Sequence, residues 1–228
     1  FNAEPRVNYN RLMLSPVLSG EKTYDDIITH GDDWYATHGV TLYKGRKVEA
    51  INRSAKTVTA ADGTVAHYDK LVIATGSLPF VIPVPGHQLP GVVTYRDLDD
   101  VEKMLAATKT GTKAVVIGGG LLGLEAAAGL KMRGMDVTVV HLMPTLMERQ
   151  LDPPAAHLLE KEFEKRGIVI RTKSNTHSIQ GTSKVTGLKL EDGTELPCDI
   201  AVMAVGIRPN AALGKEAGLT INRGIVVD

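Results

Sequence analysis

Apolar residues recur along this chain with two different periods. Val115-Val116-Ile117 form a short β-branched run, glycines follow, and from Leu121 onward "LLGLEAAAGLKMR" returns leucine and alanine at helical spacing. After Gly134 a second apolar run, Val137 to Val140, has the character of a buried strand. The predicted order is strand, glycine turn, helix, strand. Farther on, "DPPAAHLLEKEFEKRG" predicts a helix with prolines in its first turn and Gly167 at its end, followed by strand "IVIRT". This alternation predicts a parallel sheet.

Two longer stretches alternate apolar and polar residues with the strand period. "VEAINRSAKTVTAADGTVAHYDKLVIAT" turns at Asp62-Gly63 and closes on an apolar strand, Leu71 to Ala74; "VTGLKLEDGTELPCDIAVMAVG" turns at Asp192-Gly193 and closes on "IAVMAVG". Each is a hairpin with Asp-Gly-Thr at its turn, then an aspartate, then a buried strand ending in glycine. Such a duplication predicts two similar nucleotide-binding domains, one of them nearly whole within these residues. The proline-rich "SLPFVIPVPGHQLPG" fits a stiff link between them.

Composition narrows the chemistry. Lysine plus arginine number 26, as do aspartate plus glutamate, and no basic run stands out, so neither nucleic acid nor an anionic membrane surface is expected as a partner. With 43% hydrophobic residues over 228 positions, a real core can be filled. Cys198 is the single cysteine, which excludes an internal disulfide and any iron–sulfur or cysteine-rich zinc site built from this chain alone, and predicts a cytoplasmic location. No run approaches the roughly 18 apolar residues of a membrane span, and Glu4, Arg6 and Arg11 stand where a signal peptide would be apolar. The seven histidines are scattered without metal-ligand pairing, so no metal is expected.

The segment Gly118-Gly119-Gly120-Leu121-Leu122-Gly123 satisfies G-x-G-x-x-G. Its first glycine permits the tight turn, the second lets backbone approach a pyrophosphate, the third lets helix and strand pack closely, and the helix amino terminus faces the phosphates. The motif alone is weak; its strand–turn–helix–strand context is the one a dinucleotide site requires. At the end of the second strand an acid would accept the ribose hydroxyls of NAD, and a cation would favour the 2′-phosphate of NADP. His141 stands there instead. A neutral imidazole can bond a ribose hydroxyl, a protonated one can attract phosphate, and a histidine merely exposed after a strand does neither, so NADH against NADPH is open.

The fingerprint, the repeated hairpins, "LVIATGS" and "AVGIRPN" together resemble the two-dinucleotide-domain flavoprotein reductases, the pyridine-nucleotide-dependent FAD oxidoreductases, over essentially the whole chain. The resemblance implies an α/β fold of two Rossmann-like domains with β-hairpin insertions, and FAD and NAD(P)H as cofactors. It places an incomplete FAD-binding domain, without its first strand and glycine motif, at residues 1–97, an NAD(P)-binding domain at 98–207, and a truncated return to the FAD domain at 208–228. An internal fragment of a longer protein is expected. In that family Ala74, Thr75, Gly76 and Gly206 fall where the domains meet, and Glu4 is the acid for the FAD adenosine ribose. Arg6 and Arg11 stand either at the FAD pyrophosphate or as ordinary surface charges. Arg96 is a candidate tie between the link and the second domain, on the same terms. Glu125 resembles the family glutamate near the nicotinamide and flavin rings; otherwise it is an acid favoured by the helix dipole. The lysine that usually partners this glutamate falls near Pro16, which cannot serve.

Closer still, "AEPRVNYNRLMLSPVLSG" and "HLMPTLMERQLD" are similar to the reductase module of NAD(P)H-dependent assimilatory nitrite reductase large subunits, which carry it ahead of iron–sulfur and siroheme domains. The activity implied is hydride transfer from NAD(P)H to FAD, with electrons passing to those centres in downstream domains or a small subunit. A redox dithiol near "NRLMLSPVLSG" is missing, so electrons are expected to leave the flavin for a separate centre, and Cys198 reads as a small buried hydrophobe. A rubredoxin or ferredoxin reductase serving a separate small carrier is the alternative enzyme. A non-catalytic nicotinamide-nucleotide sensor is the alternative of another class. A homo-oligomer is compatible with all three.

Overall fold

The computed structural model describes residues 1–227. In chain order they form β1 (Asn8–Tyr9), α1 (Leu14–Ser19), β2 (Ile28–His30), α2 (Asp32–Thr37), β3 (Val48–Asn52), β4 (Thr57–Ala60) and β5 (Val65–His67). Next come β6 (Ser77–Pro79), β7 (Val92–Thr94), α3 (Leu98–Thr108), β8 (Lys113–Ile117), α4 (Leu121–Met132), β9 (Asp136–Val140) and α5 (Pro153–Lys165). The remainder is β10 (Val169–Arg171), β11 (Thr176–Gly181), β12 (Val185–Leu190), β13 (Glu195–Pro197), β14 (Ile200–Met203), β15 (Ile207–Pro209) and α6 (Ala212–Glu216). By contacts the chain divides into two units. The first takes Phe1–Asn10, Ile27–Leu78 and the stretch from Ile207; the second takes Arg11–Asp26 and Pro79–Gly206. By these contacts residues 11–26 and 79–97 are grouped with the glycine turn. Asp228, the last residue assigned to the returning segment, lies outside the described residues.

The second unit is built on a five-stranded, wholly parallel sheet in the order β10-β9-β8-β14-β7. Strands covered on both faces read as continuous apolar runs, and so they do here: all of β14 and all of β8 beyond Lys113 are buried. Helix α4 packs on β8 and β9 through Ala126, Ala127 and Leu130, whose small or inward-facing side chains are fully buried. On its other flank lies α1, where Leu18 meets Gly129; a Cβ at Gly129 would come within 2.8 Å of Leu18 Cγ. The last carbonyls of α1 have no partners within the helix, and Arg133 supplies them, Nε donating to Leu18 O at 2.7 Å and Nη2 to Val17 O at 3.1 Å. Asp97 caps α3 by accepting from Asp100 N at 3.0 Å. The Asp100 carboxylate takes the Thr94 hydroxyl and the Arg96 amide, both at 2.8 Å, and so ties β7 to α3; burial holds its carboxyl above the usual carboxylate range. Asp152 caps α5 by accepting from Ala155 N at 2.9 Å, with the prolines in its first turn as expected.

The proline-rich stretch is not a free link. Pro85 O accepts from Ile179 N and Pro90 O from Val185 N, each at 2.8 Å, and Val81, Ile82, Val84 and Leu89 pack on the core shared by β8, β12 and β14. Proline lacks an N–H but keeps its carbonyl, so such a strap can still bond to a neighbouring strand through its acceptors. Gly86, at φ +83, lies so close to the Ile179 carbonyl that a Cβ would overlap it.

In the first unit β1 pairs with β2, β3-β4-β5 form an antiparallel sheet, and β15 pairs with β6. The predicted duplication is present down to its bonds. In the β4–β5 turn Asp62 Oδ1 accepts from Thr64 N at 3.0 Å, and Ala60 N donates to Thr64 O at 2.9 Å. In the β12–β13 turn Asp192 Oδ1 accepts from Thr194 N, and Leu190 N donates to Thr194 O, both at 2.9 Å. Those amide bonds hold both carboxyls below the usual range. The expected strand Leu71 to Ala74 does not form, and Val72 is 86% exposed. A buried strand exists only through ladder bonds to neighbours, and no strand among the described residues lies beside this one. No helix among the described residues is long and apolar enough to cross a membrane.

Candidate functional site: the glycine turn and its surroundings

The glycines of the turn divide into two kinds. Gly118 follows β8 at φ +119, and a Cβ there would overlap the Ala204 carbonyl; a Cβ at Gly123 would overlap the carbonyl of Gly118. These two are glycine because backbone approaches backbone. Gly120 is different: it is the N-cap of α4 in extended conformation, makes no side-chain cap, and a Cβ there would meet nothing within 4 Å. Open space therefore lies beside the unsatisfied N–H groups of a 12-residue helix, and that space fits a pyrophosphate. Leu121 and Leu122 begin the helix with exposed side chains.

His141 is buried, and both of its ring nitrogens have partners. It is 8% exposed, and Gly119 N–H donates to its Nδ1 at 3.0 Å while its Nε2 lies 3.1 Å from Glu148 Oε2. An Nδ1 that accepts leaves the ring proton on Nε2, so a neutral imidazole accepts from the glycine turn and donates to Glu148. Gly119 is also held from the other side, its carbonyl accepting from Met147 N at 3.0 Å. Met147 reaches this position at φ +52, and Leu146, fully buried, packs beneath Gly119, where a Cβ would come within 2.7 Å of its Cδ2. The loop after β9 is thus stitched to the turn at several points.

Glu125 also has partners that its position in the sequence did not disclose. Ser15 donates to Glu125 Oε2 at 2.5 Å, and the Ser15 Oγ lies 2.8 Å from the Tyr95 hydroxyl. Ser15 of α1, Tyr95 just after β7 and Glu125 of α4 therefore meet in one polar chain. Burial pushes the Tyr95 hydroxyl up to about 12, with the nearby Glu125 carboxylate adding to the shift, so Tyr95 stays a neutral hydrogen-bonding group.

Of the residues expected on the flavin side, Thr75 and Gly76 come together with Asn210 within the first unit: Thr75 Oγ1 donates to Asn210 O at 2.6 Å, and Asn210 N donates to Gly76 O at 2.9 Å. Ala74 adjoins them in the chain. Glu4 accepts the Tyr9 hydroxyl at 2.6 Å. Arg6 and Arg11 fall in different units, and Arg11 donates to Arg96 O at 3.0 Å, so the Arg96 carbonyl is held within the second unit. Gly206, at φ +118, accepts from Phe80 N at 2.8 Å. Cys198 is 4% exposed, as the sequence suggested, and burial pushes its thiol up to about 12.

A parallel sheet headed by a strand, glycine turn, helix and strand, with a three-stranded hairpin insertion, defines a dinucleotide-binding domain of the flavoprotein oxidoreductase class. The chain belongs to the pyridine nucleotide-disulphide oxidoreductase family, whose model it matches over residues 1–228. It is 49% identical over its whole length to "Nitrite reductase [NAD(P)H]" of Bacillus subtilis (strain 168), of which it covers 28%. It is 43% identical to the "Assimilatory nitrate reductase electron transfer subunit" of the same organism, again over its whole length and covering 30% of that protein. Among solved structures, a ferredoxin reductase from Rhodopseudomonas palustris superposes with a TM-score of 0.92 at 31% identity, covering 99% of this chain and 56% of that one. The chain thus spans less than a third of those two curated relatives. The expected α/β class with Rossmann-like domains is the one found. The disulphide in the family name has no dithiol here, since Cys198 is the single cysteine and is buried.

Proposed function

We propose that this chain is the reductase module of an NAD(P)H-dependent, nitrite reductase-type flavoprotein, passing hydride from NAD(P)H to FAD and electrons onward to iron–sulfur and siroheme centres elsewhere in the parent protein. The observation that carries this reading is the open space at Gly120 beside the uncapped amino end of α4, supported by identity to a nitrite reductase along the entire chain. When bound, the nicotinamide supplies the hydride and the flavin accepts it. This chain's residues bind and orient. Gly118 to Gly123 and the first N–H groups of α4 hold the nucleotide's phosphates. Glu125, fixed by Ser15, orients the nicotinamide ring one turn into the helix.

On the flavin side the proposal assigns Glu4, Arg6, Arg11, Ala74, Thr75, Gly76 and Gly206. Thr75 contributes through its backbone amide there, because its hydroxyl donates to Asn210 O and its carbonyl accepts from Asn210 Nδ2. The FAD domain is proposed over 1–97 and 208–228, and the NAD(P) domain over 98–207.

A ferredoxin or rubredoxin reductase is the second reading, favoured by the structural match to a ferredoxin reductase. Anaerobic mixing of the parent protein with NADH or NADPH tests both. The visible flavin band should bleach, and nitrite should restore it. Restoration by an added ferredoxin or rubredoxin but not by nitrite selects the second reading. Nucleotide binding without bleaching by either donor rejects both and leaves a binding protein.

A further inference from the structure

We infer that Glu148 recognises the adenosine ribose of the nicotinamide nucleotide, in place of an acid at the end of β9, and that His141 is its positioning residue. The inference rests on the nucleotide site proposed above. An acid at position 141 would accept the ribose hydroxyls, yet the imidazole found there has no free atom to offer: Nδ1 is taken by Gly119 N–H and Nε2–H by Glu148. The acceptor has moved one ring outward. Among the described residues His141 is the one bonded partner of the Glu148 carboxylate, through Oε2, so Oε1 is left to accept a hydroxyl, and the side chain is 27% exposed.

Glu148 is not a loose loop acid. Met147 N–H donates to the Gly119 carbonyl and Leu146 is fully buried under the same glycine, so the residues leading to Glu148 are fastened to the turn that would cradle the pyrophosphate. A continuous chain runs from the Gly119 amide through His141 to Glu148. A carboxylate at its end accepts the 2′-hydroxyl of NADH and repels the 2′-phosphate of NADPH. The structure therefore assigns a preference for NADH.

Equilibrium titration of the parent protein with NADH, NADPH and 2′-deoxy-NADH, followed by nicotinamide fluorescence, tests this without relying on turnover. The unmodified protein should bind NADH most tightly. Glu148→Gln should weaken NADH and tighten NADPH, moving the ratio of their dissociation constants by roughly 10- to 100-fold, the range expected for a hydrogen bond to a charged group. His141→Phe should move the ratio in the same direction by a smaller factor. If Glu148→Gln does not fold, Glu148→Asp gives the reading: its shortened carboxylate should still disfavour NADPH but no longer distinguish NADH from the 2′-deoxy compound. A folded Glu148→Gln protein that binds both nucleotides with an unchanged ratio, or unmodified protein that binds 2′-deoxy-NADH as well as NADH, overturns the role of Glu148 alone. Failure of the unmodified protein to bind any of the three overturns the site itself.

Discussion

Replacing Gly120 by valine separates the two tasks that glycines perform in the turn. The backbone at Gly120 is extended, with φ −85 and ψ −178, a conformation valine adopts readily, and its Cβ would meet nothing within 4 Å. The loss of stability is then confined to a poorer helix cap, about 1 kcal/mol. The valine methyls would stand in the space assigned to the pyrophosphate. Displacing the phosphates from even one amide bond, worth about 1.5–3 kcal/mol for a charged acceptor, weakens NAD(P)H binding roughly 10- to 150-fold. Gly123→Ala should behave in the opposite way, because its Cβ is directed into the Gly118 carbonyl and the helix must move, a strain of about 1–3 kcal/mol. The assay is urea unfolding by circular dichroism together with fluorescence titration on the same samples. A folded Gly120→Val protein with unchanged affinity would refute the reasoning, and so would a Gly120→Val protein destabilised as much as Gly123→Ala.

Three further outcomes are expected. Ser15→Ala removes the donor to Glu125 and should slow flavin reduction in stopped flow about tenfold, with Ser15→Thr restoring much of the rate; an unchanged rate would show that Glu125 needs no fixing. Arg133→Ala leaves the Leu18 carbonyl without its side-chain donor and the Val17 carbonyl with the Gly20 amide alone, and should lower stability by about 1–3 kcal/mol in urea, while an effect within error would mean that water replaces the guanidinium fully. The Cys198 thiol is raised from 9.0 to about 12, so its contribution is fully present below pH 9 and is lost as pH rises toward 12. Folded protein should accordingly resist iodoacetamide at pH 9 while the unfolded chain reacts, and Cys198→Ala should flatten the alkaline decline; rapid alkylation of folded protein would contradict the burial.

The parts of the fold that were legible in the sequence are those whose signal is local. The period of β8, α4 and β9, the prolines and Asp152 opening α5, and the Asp-Gly-Thr turns each carry their geometry within a few residues, and each appears where expected. Parts that depend on distant partners were not. The apolar run at 71–74 has strand propensity, but a strand also needs a neighbour. The Ser15 to Glu125 bond spans 110 positions, and the composition of neither segment announces the other. His141 was read by its place at a strand end, whereas its partner is Glu148, seven residues later in a loop that the burial of Leu146 and the bond of Met147 to Gly119 bring back to the turn. The proline-rich stretch has the composition of a linker, yet the apolar residues between its prolines find a core to join.

The order of the central sheet bears on how the protein comes off the ribosome. β14 is synthesised after every other strand of its sheet, and it takes the place between β8 and β7. Until residues 200–203 emerge, β8 presents an open flank of amides and carbonyls, and β7 has nothing to lie against. The three-stranded hairpin made just before β14 delivers that strand to the gap, so closure of the sheet waits on one short, wholly apolar segment, the last strand of the sheet to be made. Nascent chains are therefore most vulnerable to pairing with one another in the interval before β14 emerges, and a lesion in β14 harms folding yield out of proportion to its length.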